Sequence, residues 1–205
     1  MKLILVRHGH VEGVYPQRFR GRKEVPLTEL GRRQAEATAQ RIAAEWKVEA
    51  LYTSPMGRTV ETGRAIGAAC GVEGRTLDGL IDFDYGEWSW RLLSEVEADS
   101  PDLFKAWFTA PQLVQVPDGD TLQELASRSS DALRTMLADH HDGTVVAVGH
   151  DSVNRALLLQ LLDMPLSGYW RIAQDPCCIN EIDIDDGHVR VGRVNETGHL
   201  LGLKG

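Results

Sequence analysis

The sequence predicts an α/β fold: a three-layer α/β/α sandwich with a mixed, mostly parallel central sheet and a C-terminal hairpin. Two observations carry this expectation. Short apolar runs rich in β-branched residues, at 2–6, 50–53 and 144–148, alternate with longer stretches of helical spacing, the order that winds a parallel sheet between helix layers. The tail then holds two runs, 179–184 and 188–194, around Asp185-Asp186-Gly187, residues suited to a tight hairpin turn.

Taken in order, residues 2–6 read as a buried strand that halts at Arg7-His8-Gly9 and so delivers a charged cluster to its C-terminal end. Thr28 is placed to cap a helix over 29–46, in which Leu30, Ala35, Ala39 and Ile42 fall near one face. A strand at 50–53 follows. Ser54-Pro55 breaks it and opens a second helix at 57–70, with Arg58 and Glu61 in the first turn. Residues 78–90 read as a loop, and helical segments near 94–109 and 121–140 come next, separated by a proline-containing connection at 110–119. The strand at 144–148 ends at Gly149-His150-Asp151, and an apolar helix over 153–162 begins at once. That strand-to-helix step sets ligands outside the ends of parallel strands. The 205 residues, 42% hydrophobic and 25% charged and without repeats or linkers, are expected to form a single domain over 1–205.

A count of 22 Lys and Arg against 30 Asp and Glu gives a net charge of -8, which repels polyanions and argues against nucleic acid or an anionic membrane as partner. Cys70, Cys177 and Cys178 are odd in number and lack CxxC spacing, and an adjacent pair is poorly placed to share a zinc ion or close a disulfide. A reducing, cytoplasmic setting is therefore expected. The opening apolar run is too short for a signal-peptide core or a membrane span, and no longer one follows. Nothing sets the oligomeric state, since the leucines at 157–162 suit a core or a partner helix equally.

Arg7, His8, Arg58 and His150 all stand where strands stop or just beyond. Each alone reads as readily as a solvated or structural residue, and only their shared placement points to one site. Arg7-His8-Gly9, residues 19–28 with Gly31 and Gln34-Ala35, Ser54 to Thr59 with Glu61-Thr62, and Val148-Gly149-His150 with Arg155 resemble, in that order, four segments of the histidine phosphatase superfamily, also called phosphoglycerate-mutase-like. The RHG tripeptide alone is a weak signal; four segments at family spacing are a specific one. The resemblance, to the small phosphatase branch, implies hydrolysis of a small-molecule phosphomonoester through a phosphohistidine on His8, without metal or cofactor. It implies a clamp of Arg7, Arg58 and His150 on the phosphate.

The chemistry of these side chains agrees. A guanidinium fork matches two phosphate oxygens, and a neutral imidazole offers a lone pair near pH 7. The family's leaving-group acid lies in a segment like L-x-E-x-x-x-G, and Leu80-Ile81-Asp82-Phe83-Asp84-Tyr85-Gly86 puts Asp82 there, one methylene shorter, with Asp84 and Glu87 as rivals. A second departure follows the signature. Where many members carry Thr and Asn, this chain reads His10-Val11-Glu12-Gly13-Val14, with Gln17, Arg18 and His10 as substitutes or plain loop residues.

Arg18, Arg20, Arg22 and Lys23 make a basic cluster in an acidic protein, which fits a substrate with a second anionic group or simply a solvated loop. Tyr85, Trp88 and Trp90, with Trp107-Phe108, offer a flat apolar wall or ordinary core packing. Three rivals stand beside the phosphatase. A mutase would share the phosphohistidine but is disfavoured by the short chain; a metal hydrolase would use His8-Gly9-His10 and His150-Asp151; a phosphoester-binding protein would have lost its turnover.

Overall fold

The structure is a computed structural model describing residues 1–203, and its order is β1 (Lys2–Arg7), α1 (Glu29–Glu45), β2 (Val48–Thr53), α2 (Gly57–Cys70), β3 (Gly74–Thr76), α3 (Leu93–Asp99), α4 (Pro101–Thr109), α5 (Leu122–Asp139), β4 (Thr144–Gly149), α6 (Asp151–Leu161), β5 (Ile179–Asp185) and β6 (His188–Glu196). The sheet runs β3-β2-β4-β1-β5-β6. The first four strands are mutually parallel, and β5 and β6 add as an antiparallel hairpin, giving the expected mixed sheet. Asp186 and Gly187 both take positive φ, 45° and 80°, the backbone a two-residue hairpin turn requires.

The central strands β1 and β4 are apolar runs because both faces of the sheet are covered there. Leu3, Leu5, Val145 and Ala147 face a core completed by Leu125 and Met136 of α5 and Val153 and Leu157 of α6. Their neighbours Ile4, Val6, Val146 and Val148 face Ala39 and Ile42 of α1 and Ile66 of α2. Each of these valine, leucine, isoleucine and methionine side chains, fully buried, contributes about 1.5–3 kcal/mol. Thr28 Oγ1 accepts from the Gly31 N–H at 3.1 Å, fixing the start of α1. Thr121 and Glu124 close a reciprocal capping box at the start of α5.

Two expectations are corrected, and one strand appears that the sequence pattern did not mark. The helical segment near 94–109 is two helices, because Pro101 has no N–H to donate and its ring clashes with the preceding turn, so the chain breaks at Ser100. The strand expected at 50–53 begins at Val48, through an irregularity around Glu49 that hid it from the pattern. β3, three exposed residues at the sheet edge, carries no apolar run by which to be found. No helix among the described residues is long and apolar enough to cross a membrane.

The strand order positions the site. β2, β4 and β1 are parallel neighbours, so Ser54, His150 and His8, each the first residue past its strand, stand side by side. Two hydrogen bonds hold these ends in line: His8 N–H to Gly149 O at 3.1 Å and Ser54 N–H to Val148 O at 3.0 Å.

Candidate active site

His8 is fixed by backbone on two sides. Its Nδ1 lies 2.7 Å from the Gly9 carbonyl, which can only accept, so Nδ1 carries the proton and Nε2 keeps the lone pair. Gly9 is required there: a Cβ on it would lie 2.4 Å from Gly31 O, and one on Gly31 would lie 2.1 Å from His10 O. The motif glycines thus let the start of α1 pack backbone to backbone on the loop after β1.

Arg58 is completely buried, and its Nε–H donates to His8 Nε2 at 3.2 Å. Its other donors reach Lys23 O at 2.9 Å, Gly21 O at 2.6 Å and Asp82 Oδ2 at 2.9 Å. Asp82 is buried as well. Its Oδ1 accepts from Ser152 Oγ–H and, at 2.9 Å, from Phe83 N–H, while Oδ2 lies 3.4 Å from His150 Nδ1. Of its rivals, Asp84 is paired outward with Arg22 at 3.3 Å, and Glu87 is exposed.

His150 is fully buried, with Nε2 2.9 Å from Ser54 Oγ and its ring centroid 5.3 Å from that of His8. Arg7, also buried, donates through Nη1 to the Gln174 carbonyl, while its Nε–H finds no partner. Behind it, Gln174 and Asn180 exchange amide hydrogen bonds of 2.7 and 3.0 Å, and Asn154 donates to the same Gln174 oxygen at 3.1 Å. Asp151 pairs with Arg155 at 3.2 Å. Burial alone would raise its carboxyl, but Arg7, Arg155 and Arg20 outweigh burial and hold it far below the usual range.

Both rings are held neutral. Burial first, then Arg58, His150 and Arg7, keeps His8 well below the ordinary histidine range, and burial takes His150 down to about 3 against the pull of Asp82. In the unfolded chain both titrate near 6.5. Below that pH the unfolded state takes up protons that the fold refuses, so stability is full above about 6.5 and declines as pH falls. The pair is expected to cost on the order of 2–3 kcal/mol between pH 7 and pH 5.5. Denaturant melts at the two pH values check this, and a His8→Ala variant with the same pH dependence as the parent would contradict it.

A small cavity of about 20 Å³ lies beside Asp82, lined by Arg18, Arg20, Tyr85, Phe108, Asp151 and Trp170. The basic cluster therefore divides. Arg18 and Arg20 face the cavity, held by bonds of 2.7 Å to Trp90 O and Gly13 O, whereas Arg22 pairs with Asp84 and Asp120 and Lys23 is exposed. The aromatic residues divide too. Tyr85 lies on the wall, but Trp88 is 2% exposed, with its ring 5.1 Å from Phe19 and 6.4 Å from Trp107, so it supports the wall from behind. A larger cleft of about 650 Å³ between α2 and β3 holds none of these groups, so size does not locate the site.

The sequence profile of the histidine phosphatase superfamily (branch 1) matches residues 3–197. The chain belongs to that family. It is 32% identical over 200 residues to phosphoserine phosphatase 1 of Hydrogenobacter thermophilus, covering 98% of this chain and 94% of that protein. Bacillus stearothermophilus YhfR matches its fold with a TM-score of 0.91 at 26% identity, over 97% of this chain and 98% of that one. A mutant phosphoserine phosphatase of Entamoeba histolytica, solved with phosphoserine, matches with a TM-score of 0.84 at 25% identity, over 97% and 98%.

As a histidine phosphatase superfamily member, the chain departs from the pattern after its RHG signature, and the structure shows what stands there. His10 Nδ1 lies 2.9 Å from Thr28 Oγ1, binding the loop to α1, and Gln17 is exposed at the cavity. Ser152 and Gln174 were missed from sequence. Ser152 has a local signal, standing two places after His150; Gln174 has none, since only the folded chain brings it to Arg7.

Proposed function

We propose that this protein is a metal-independent phosphomonoesterase that transfers the phosphoryl group of a small-molecule ester to His8 Nε2 and then to water. One observation carries the reading: Arg7 is a buried cation with an unpartnered Nε–H and no carboxylate within ion-pair distance among the described residues, beside a neutral histidine whose Nε2 lone pair is met by Arg58 Nε–H. A buried cation without a direct ion pair is costly; Asp151 offsets part of that cost through its field, and a phosphate dianion would supply the close partner. The charges agree. Arg7, Arg20, Arg58 and Arg155 face Asp82 and Asp151, leaving a surplus of two positive charges where a dianion would sit.

In the reaction, the phosphate takes donors from Arg7, Arg58 and His150 Nδ1–H, and His8 Nε2 attacks phosphorus in line. As the ester P–O bond breaks, the Asp82 carboxylic acid gives its proton to the leaving oxygen and is left as the carboxylate. Asp82 then takes a proton from water, which cleaves the P–N bond and releases inorganic phosphate. Asp82 stands beside both Arg58 and His150, which supports it over Asp84 and Glu87.

Arg18 and Arg20 at the cavity favour an organic part that carries a second anionic group, and Tyr85, Phe108 and Trp170 give it an apolar wall. The names of the phosphoserine phosphatases among its relatives agree with such a substrate. The three cysteines are free, two of them buried, which suits a cytoplasmic setting. The test is phosphate release from a panel of monoesters in excess EDTA. EDTA-resistant turnover is expected, with esters bearing a carboxylate showing KM values roughly two- to fivefold below those of neutral alkyl phosphates, the scale of one screened ion pair. Release from no ester, or only with added metal, overturns the reading.

A further inference from the structure

We infer that Asp120 and Arg128, outside the reacting groups, form a bracket that positions Asp82 by gripping its main-chain carbonyl. The inference rests on the reading of Asp82 as the proton donor. Arg128 Nη2 and Arg22 Nε both donate to Asp82 O, each at 3.2 Å. Asp120 Oδ2 ties the two arginines together, at 2.6 Å from Arg128 Nη2 and 3.1 Å from Arg22 Nη2, and accepts from Asp84 N–H at 2.9 Å. One carboxylate, two guanidinium groups and one peptide N–H thus hold the carbonyl of a residue whose side chain points into the site.

The loop is pressed onto this bracket. Asp120 N–H donates to Asp84 O at 2.9 Å and Glu87 N–H to Pro117 O at 3.0 Å. Gly86 and Gly119 permit the approach, since a Cβ on Gly86 would lie 2.0 Å from Pro117 O and one on Gly119 2.5 Å from Asp84 O. Arg128 lies on α5, which the capping box at Thr121 and Glu124 anchors, so the bracket ties the position of Asp82 to a rigid helix. A short acid needs this more than a long one. Aspartate has one fewer side-chain torsion than glutamate with which to correct a displaced backbone, so the backbone itself must be held.

Leaving-group chemistry separates positioning from general support of the fold. p-Nitrophenolate leaves without a proton, whereas an alkoxide needs one, so a displaced Asp82 slows alkyl esters selectively. In Arg128→Met, kcat/KM for an alkyl ester such as phosphoserine is expected to fall about 10- to 100-fold, and that for p-nitrophenyl phosphate less than about threefold. Arg128→Lys, which keeps a cation able to donate, should recover most of the alkyl-ester rate. Asp120→Asn carries the same test should Arg128→Met fail to fold, and Asp82→Asn gives the reference split. Equal losses on both esters, or no loss on either, overturn the bracket if Asp82→Asn shows the split; no split in Asp82→Asn removes the proton-donor reading and the inference with it.

Discussion

Replacing His8 by alanine is expected to lower phosphatase activity by on the order of 10⁴-fold or more, because the variant has no group to carry the phosphoryl between the two half-reactions. The clamp alone does not make up the loss. Arg7, Arg58 and His150 would still bind a phosphate, so inorganic phosphate should protect His8→Ala against thermal unfolding as it protects the parent. The fold should survive, since among the described residues the side chain of His8 makes two hydrogen bonds, to its neighbour Gly9 O and with Arg58 Nε–H, beside an edge contact with the His150 ring. The phosphoenzyme gives a second readout: brief reaction with labelled ester should leave an acid-labile, alkali-stable phosphate on the parent and none on His8→Ala. Turnover within tenfold of the parent would assign the nucleophile elsewhere.

The fold was legible where one face of an element repeats in sequence. Leu3, Leu5 and Ile4, Val6 read as a doubly buried strand because they are one, and Thr28 marks a helix start through side-chain chemistry that is local. The break at Pro101 was equally local but lay inside a longer periodic stretch, which masked it. β3 was illegible because three exposed edge residues bury nothing and so leave no pattern.

The candidate site divides along the same line. Arg7, His8, Arg58 and His150 could be picked out because a parallel sheet collects strand ends, and strand ends are visible in sequence. What holds them was not. Gln174 stands 167 positions from Arg7 and Arg128 46 positions from Asp82, each pair joined through a carbonyl group that every residue possesses, and Asp120 is drawn in through Arg128, Arg22 and the Asp84 N–H. Trp88 shows the opposite limit: its composition and place in a loop suited a substrate wall, yet burying a ring beside Phe19 and Trp107 was the stronger demand.

Arg58→Met is expected to cost both activity and stability, and the two losses have separate causes. Activity should fall roughly 10³-fold, the scale for removing a preorganised charged donor from the developing phosphoryl charge. Stability should fall by about 3–5 kcal/mol, because Asp82 is left buried without the guanidinium 2.9 Å from its Oδ2, and the carbonyls of Gly21 and Lys23 lose their donor. The double variant Arg58→Met with Asp82→Asn removes the stranded charge as well as its partner. It should regain more than half of the lost stability while remaining as inactive as the single variant, and urea melts beside phosphate-release rates read both. Stability that stays low in the double variant would place the cost of Arg58→Met in packing and the lost carbonyl contacts rather than in the Asp82 ion pair.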